Sequence, residues 1–202
     1  MKQIILILFL CTAHIVNAKT TNSSILFLGD SLTEGLGVDS KDAYPYLIEL
    51  MIQNQLHKNI TVINGGVSGS TTSDAFARLK WYLKKKPSIV FIALGANDGL
   101  RGLDLKQSQK NLEKIIQYAL DSNAKVLLAR MLIPPNYGIQ YVNQFKKIYT
   151  DLQTKYKLKN IPFLLENVAG KKELNQRDGI HPNEKGHAII AQTVFKYLKE
   201  EL

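Results

Sequence analysis

Five short apolar runs, each followed by a stretch of helical periodicity, constrain this chain more than any other feature. The runs cover residues 25–28, 61–63, 89–94, 126–131 and, more weakly, 163–165. They are nearly continuous in apolar residues rather than alternating, which is the pattern of strands buried on both faces of a parallel sheet. Residues 43–56, 73–85, 105–122, 138–156 and 183–202 read as helices. The first follows Asp42 and carries Pro45 in its opening turn, where a missing N–H has no intrahelical bond to lose. The third sets Leu105, Leu112, Ile115, Ile116, Ala119 and Leu120 on one stripe. A β-α unit repeated five times predicts a three-layer α/β/α sandwich with right-handed crossovers. No internal repeat, linker or low-complexity segment interrupts it.

The opening "MKQIILILFLCTAHIVNA" stands apart from this pattern. Lys2 precedes an apolar run from Ile4 to Cys11, and Val16 and Ala18 occupy the two recognition positions of a secretory cleavage site. Residues 1–18 are therefore expected to be a removable signal peptide, leaving 19–202 as one domain. The run is too short to span a bilayer stably, which disfavours an uncleaved anchor. Leu10 is a poor neighbour for lipid attachment at Cys11. Cys11 is the one cysteine, so the processed chain has no disulfide, no thiol nucleophile and no thiolate metal ligand. His57, His181 and His187 show no zinc-type spacing, and no metal or other cofactor is expected.

The net charge is +9, spread over Lys84–Lys86, Lys146–Lys147, Lys155–Lys159 and Lys171–Lys172. Most of these fall on solvated helix faces or helix ends. Their summed field would attract anionic acyl substrates, or a transient contact with an anionic lipid surface. No nucleic-acid-binding motif accompanies the charge. No long exposed apolar stripe is evident, so a monomer is expected.

In an open parallel sheet, ligands bind beyond the carboxyl ends of the strands. Ser31 falls there, in "ILFLGDSLTEG"; Gly69 follows the second run in "NGGVSGSTT"; Asn97 follows the third in "LGANDG"; Asp178 and His181 share the last loop, "RDGIHPN". A serine needs a base to become a nucleophile. Imidazole titrates near neutrality, and a carboxylate three residues away can hold its tautomer. Ser31, His181 and Asp178 thus form a candidate triad. The backbone N–H groups of Ser31 and Gly69 and the amide of Asn97 are candidate oxyanion donors. The competing readings are an N-cap for Ser31, turn residues for Gly69, Asn97 and Asp178, and a cap or loop residue for His181. Asp30 and Asp98 are expected to be structural hydrogen-bonders, and His57 and His187 surface or helix residues without a chemical role. Arg130 ends the fourth run and could pair with a loop acid.

Two rival motifs fail. "GGVSGS" lacks dinucleotide or phosphate-loop spacing, and Ser31 is not in a G-x-S-x-G elbow.

"GDSL" at 29–32, Gly69, "GAND" at 95–98 and "DGIH" at 178–181 resemble the four sequence blocks of the SGNH-hydrolase (GDSL esterase/lipase) superfamily. With "GANDGLRG", "IPPNYG" and "DGIHPN", the chain is most similar to its bacterial thioesterase, lysophospholipase and arylesterase group. The resemblance implies a flavodoxin-like sheet in the order 2-1-3-4-5, export to the periplasm, and metal-free hydrolysis of esters, thioesters or lysophospholipids. Ala96 stands where this group often has a second glycine, a difference expected to tune the loop. For an acyl chain, Leu100, Leu103, Ile133, Pro134 and Tyr137 are the expected apolar walls. Gly99 and Gly102 would let the first of these loops move as a lid. The expected activity is serine-dependent hydrolysis of acyl esters and thioesters through an acyl-Ser31 intermediate. The alternatives are a carbohydrate acetylesterase on the same scaffold, or a lipid- or glycan-binding protein without turnover.

Overall fold

The computed structural model describes residues 23–202. The expected signal peptide lies outside the described residues. Five strands, β1 (Ser24–Gly29), β2 (Thr61–Gly66), β3 (Ile89–Ala93), β4 (Lys125–Arg130) and β5 (Asn160–Phe163), form one sheet in the order β2-β1-β3-β4-β5. Every neighbouring pair is parallel. Two short helices, α1 (Ser31–Glu34) and α4 (Ala96–Leu100), sit directly on strand ends. The longer helices are α2 (Tyr44–Leu56), α3 (Ala75–Leu83), α5 (Leu105–Asp121), α6 (Ile139–Lys155) and α7 (Glu184–Leu198). Helix α2 packs on α7, while α3, α5 and α6 lie side by side, giving the sheet two helical covers. This is the predicted sandwich and strand order.

Burial follows position in the sheet. The central strands β1 and β3 are buried along their whole length, whereas the edge strand β2 is half exposed. Phe27 of β1 meets Phe91 of β3 at 5.1 Å and the Tyr44 ring edge-on at 5.6 Å. Each such buried aromatic contributes roughly 1.5–3 kcal/mol by leaving water. On α5 the predicted stripe faces the core: Leu112, Ile115, Ile116 and Ala119 are buried, with Leu105 and Leu120 partly so.

The fifth strand lies three residues earlier than its apolar run suggests, over Asn160–Phe163. Pro162 donates no backbone hydrogen bond and is tolerated because β5 is an edge strand. The register between β4 and β5 shifts at Ala129/Arg130, and just beyond β5 the Leu164 N–H still donates to the Arg130 carbonyl at 3.0 Å.

His187 is buried in α7 rather than on the surface. Its Nδ1 accepts from the backbone N–H of Tyr44, the first residue of α2, at 3.3 Å. Ala43 offers that helix no side-chain cap, so the imidazole supplies a partner for one otherwise orphaned donor. Burial pushes the His187 pKa down to about 4, keeping the ring neutral. Arg130 pairs with amides, not with an acid: its Nε donates to Gln153 Oε1 at 3.2 Å and its Nη2 to Asn160 Oδ1.

Candidate active site

Four loops at the carboxyl edge of the sheet supply the site. Strand β1 ends at Gly29, and Asp30 caps α1 by accepting the Leu32 N–H on Oδ1 at 3.0 Å. That cap sets Ser31 at the first position of a helix, nearly buried, with its hydroxyl turned to the last loop. The Ser31 Oγ lies 2.9 Å from His181 Nε2. On the other side of the ring, His181 Nδ1 lies 2.7 Å from Asp178 Oδ2. The second oxygen of Asp178 accepts the backbone N–H groups of Ile180 and His181, at 2.9 and 3.0 Å. These bonds, the His181 N–H foremost, hold the Asp178 pKa down to about 2, so it is a carboxylate at any working pH. A hydroxyl, an imidazole and a fixed negative charge are thus in line. Such a chain can pass the serine proton to the ring and stabilise the imidazolium that results.

The loop bearing His181 is fastened by Gln176, which pattern reading missed. Its N–H donates to the His181 carbonyl at 2.8 Å, and its side-chain amide donates to the carbonyls of Leu36 (2.7 Å) and Pro182 (2.9 Å). Leu36 follows α1, so Gln176 ties the loops that carry Ser31 and His181 together. Arg78 was missed as well. It donates to the carbonyls of Gly29 (2.9 Å) and Gly65 (3.0 Å) and to Ser70 Oγ (2.8 Å), joining the ends of β1 and β2. Most of these partners are main-chain carbonyls, which leave no motif.

Asn97 lies on α4 and lines the same cleft as Ser31 and His181. One of its amide hydrogens goes to the Ser70 carbonyl at 3.0 Å. Gly69 precedes that serine with φ +75°, a conformation that glycine adopts without strain. Its carbonyl accepts from Arg101 Nη2 at 3.0 Å, and the same nitrogen lies 3.5 Å from Asn97 Oδ1. The Gly69 and Asn97 loops are therefore cross-linked. Asp98, buried beside them, accepts from the Thr72 N–H (2.9 Å), the Thr72 hydroxyl (2.6 Å) and the Ser108 hydroxyl (3.0 Å). That is the structural role expected for it. Asp30 fits this role by half: Oδ1 caps α1, but Oδ2 is buried without a partner among the described residues. Burial pushes its pKa up to about 6.

The cleft beside Ser31 has a volume of about 630 Å³ and mainly apolar walls. Of the expected wall residues, Leu100, Ile133 and Pro134 line it, whereas Leu103 and Tyr137 do not. Tyr137 instead braces α4 from outside, donating to the Leu100 carbonyl at 2.9 Å. Gly99 is no hinge. It is buried in α4, where a Cβ would come within 2.7 Å of both Ile133 and Phe145. Together with the Tyr141 hydroxyl, which reaches the Gly99 and Leu103 carbonyls, this close packing braces the Gly99 end of the segment expected to move as a lid, whereas Gly102, at φ +64°, has open space around it.

Residues 27–189 match the GDSL-like lipase/acylhydrolase family. An arylesterase from Vibrio mimicus is 37% identical over 98% of this chain and 97% of its own length. The thioesterase 1/protease 1/lysophospholipase L1 of Escherichia coli K12 is 36% identical over 87% of this chain and 83% of its own. Among solved structures, that of TesA superposes with a TM-score of 0.85 at 36% identity, covering 89% of this chain and all of the other. The chain belongs to the GDSL-like lipase/acylhydrolase family and is an enzyme of the ester/thioester hydrolase class.

Proposed function

We propose that this protein is a secreted serine hydrolase that cleaves acyl esters and thioesters through an acyl-Ser31 intermediate. The observation that carries this reading is the line Ser31 Oγ–His181 Nε2 at 2.9 Å and His181 Nδ1–Asp178 Oδ2 at 2.7 Å. Ser31 Oγ attacks the substrate carbonyl carbon while His181 Nε2 takes the hydroxyl proton. His181 then gives that proton to the departing alcohol oxygen or thiol sulfur, and the acyl group remains on Ser31. A water molecule, deprotonated by the same imidazole, attacks the acyl carbon. The carboxylic acid leaves and the proton returns to Ser31.

The negative charge on the tetrahedral oxygen would be met by the N–H groups of Ser31 and Gly69 and by the second amide hydrogen of Asn97. Neither N–H has another acceptor among the described residues. Losing one such donor typically costs about 10²–10³-fold in turnover. Residues 1–18 support export to the periplasm. The apolar cleft favours acyl chains longer than acetyl over the carbohydrate acetylesterase alternative.

The test is Ser31→Ala assayed on p-nitrophenyl ester and acyl thioester series of graded chain length. A loss of about 10³-fold or more in kcat is expected, along with loss of labelling by an alkyl phosphonate that modifies Ser31 in the parent. Parent-like turnover in the variant would sink the assignment, and a steep preference for acetyl would favour the carbohydrate alternative.

A further inference from the structure

Arg101 stands four residues after Asn97, at the C-cap of α4, and its backbone N–H donates to the Asn97 carbonyl at 3.1 Å. That spacing puts the two side chains on one face of the turn. The guanidinium therefore reaches the same loop that Asn97 touches. Its Nη2 donates to the Gly69 carbonyl at 3.0 Å, the only donor that carbonyl receives among the described residues. The same nitrogen lies 3.5 Å from Asn97 Oδ1. A Cβ built on Gly69 would lie only 3.3 Å from it, so the guanidinium is packed against the glycine itself. Arg101 is exposed and forms no ion pair among the described residues, so no carboxylate draws its charge away from these two oxygens.

The two groups it holds are the ones whose orientation matters most. An amide has two ends: turned one way Asn97 offers N–H to a tetrahedral oxygen, turned the other it offers a carbonyl oxygen that repels it. The Ser70 carbonyl takes one hydrogen from Nδ2 at 3.0 Å and so favours the first orientation. A cation beside Oδ1 disfavours the second, which would turn the NH₂ group toward the guanidinium. The same cation polarises the amide and strengthens its remaining hydrogen as a donor. Gly69, at φ +75°, is the residue type most free to leave its conformation, and the bond from Nη2 pins the peptide that follows it.

We propose that Arg101 is a positioning residue of the oxyanion hole: one guanidinium nitrogen holds the Gly69 peptide and the Asn97 amide in the orientation that presents hydrogen to the tetrahedral oxygen. Its effect runs through those two groups and not through contact with the substrate. The proposal rests on the oxyanion roles proposed for Gly69 and Asn97.

The experiment is a double-mutant cycle in the full chain, read on a soluble p-nitrophenyl ester. Arg101→Gln should lower kcat about tenfold, less than the loss of a donor outright, with KM and melting temperature unchanged. Turnover at the parent level, or a change confined to KM, would overturn the proposal. In an Asn97→Ala background, Arg101→Gln should cost no more than about threefold, because one of its two partners is gone. A full tenfold cost there would overturn the coupling. With Arg101→Ala, ethylguanidinium in solution should restore part of the lost kcat, and ethylammonium at the same concentration should not. Equal rescue by the two cations would reduce the role to general charge and overturn the positioning. Asn97→Ala alone tests the oxyanion reading, and parent-like turnover in it would sink that reading whatever Arg101 does. A slow Asn97→Ala variant beside an unaffected Arg101→Gln variant would leave the reading standing and remove Arg101 from it.

Discussion

Asp178 grips His181 twice, with one carboxylate oxygen on the ring Nδ1 at 2.7 Å and the other on the backbone N–H at 3.0 Å. The side chain thus fixes both the tautomer of the imidazole and the turn that presents it. Asp178→Asn can keep an acceptor for the turn but removes the charge that favours the imidazolium. We expect kcat to fall by about 10⁴-fold with little change in KM. Circular dichroism should be unaltered. A fall of less than tenfold would remove Asp178 from the proton relay.

Asp30 and His187 are both buried, and their titrations act on stability with opposite sign. Asp30 has its folded pKa raised from 3.8 to about 6 by burial, so the folded chain binds the extra proton. Stability from this group is present at low pH and is lost as pH rises through that window, by about 2 kcal/mol between pH 4.5 and 7. Asp30→Asn keeps an oxygen for the Leu32 N–H and cannot ionise. Urea unfolding should show the variant gaining about 2 kcal/mol on the parent over that pH range. A difference independent of pH would mean that Asp30 does not titrate there.

His187 runs the other way. Its folded pKa is lowered from 6.5 to about 4 by burial, so the unfolded chain takes up the proton first. Stability present above pH 6.5 is lost as pH falls toward 4, by about 2–3 kcal/mol at pH 4.5. His187→Leu should cost about 1–3 kcal/mol at pH 7, because the Tyr44 N–H loses its acceptor. That deficit should shrink or vanish at pH 4.5. In the parent, the two residues largely offset each other; replacing Asp30 uncovers the loss of stability in acid, whereas replacing His187 uncovers a gain.

Gly99→Ala sets two effects against each other. Alanine favours a helix by up to about 1 kcal/mol over glycine. Its methyl would press on Ile133 and Phe145 at 2.7 Å, and overpacking of this kind costs about 1–3 kcal/mol. Packing wins, so the melting temperature should fall. Because Ile133 is a cleft wall, long-chain turnover should fall with it. A variant more stable than the parent would restore the idea of a loose segment at 99.

The division between Leu100, which lines the cleft, and Leu103, which does not, can be read in specificity. On monomeric p-nitrophenyl esters, Leu100→Asp should lower the decanoate-to-acetate ratio of kcat/KM roughly tenfold or more. Leu103→Asp should leave that ratio unchanged. The reverse result would put the acyl chain on the outer side of α4.

The resemblance to the SGNH-hydrolase blocks implied the sheet order, and the convergence of Ser31, Asn97, Asp178 and His181 followed from strand position, which dictates where such loops gather. Sequence reasoning failed where a residue's partner is a main-chain group far along the chain. Gln176, Arg78 and Arg101 bond mainly to carbonyls, which every residue has, so nothing marks them in a one-dimensional string. The burial of His187 within its helix went unseen for the same reason: its partner is the bare N–H at the start of α2. Leu103 and Tyr137 lie beside the true walls in sequence, but Leu103 falls beyond the end of α4 and off the cleft, and Tyr137 turns its hydroxyl to the Leu100 carbonyl. Strand β5 was displaced because apolar content does not separate the last ladder residues from those just beyond them.

The hydroxyl of Ser31 and the ring of His181 are 150 residues apart in the chain. During synthesis the first is made early and the second late. A growing polypeptide therefore holds Ser31 with no imidazole to accept its proton until the closing loop and α7 have been made. Proteolytic loss of that C-terminal piece would silence the chemistry in the same way, leaving Ser31 untouched and unreactive.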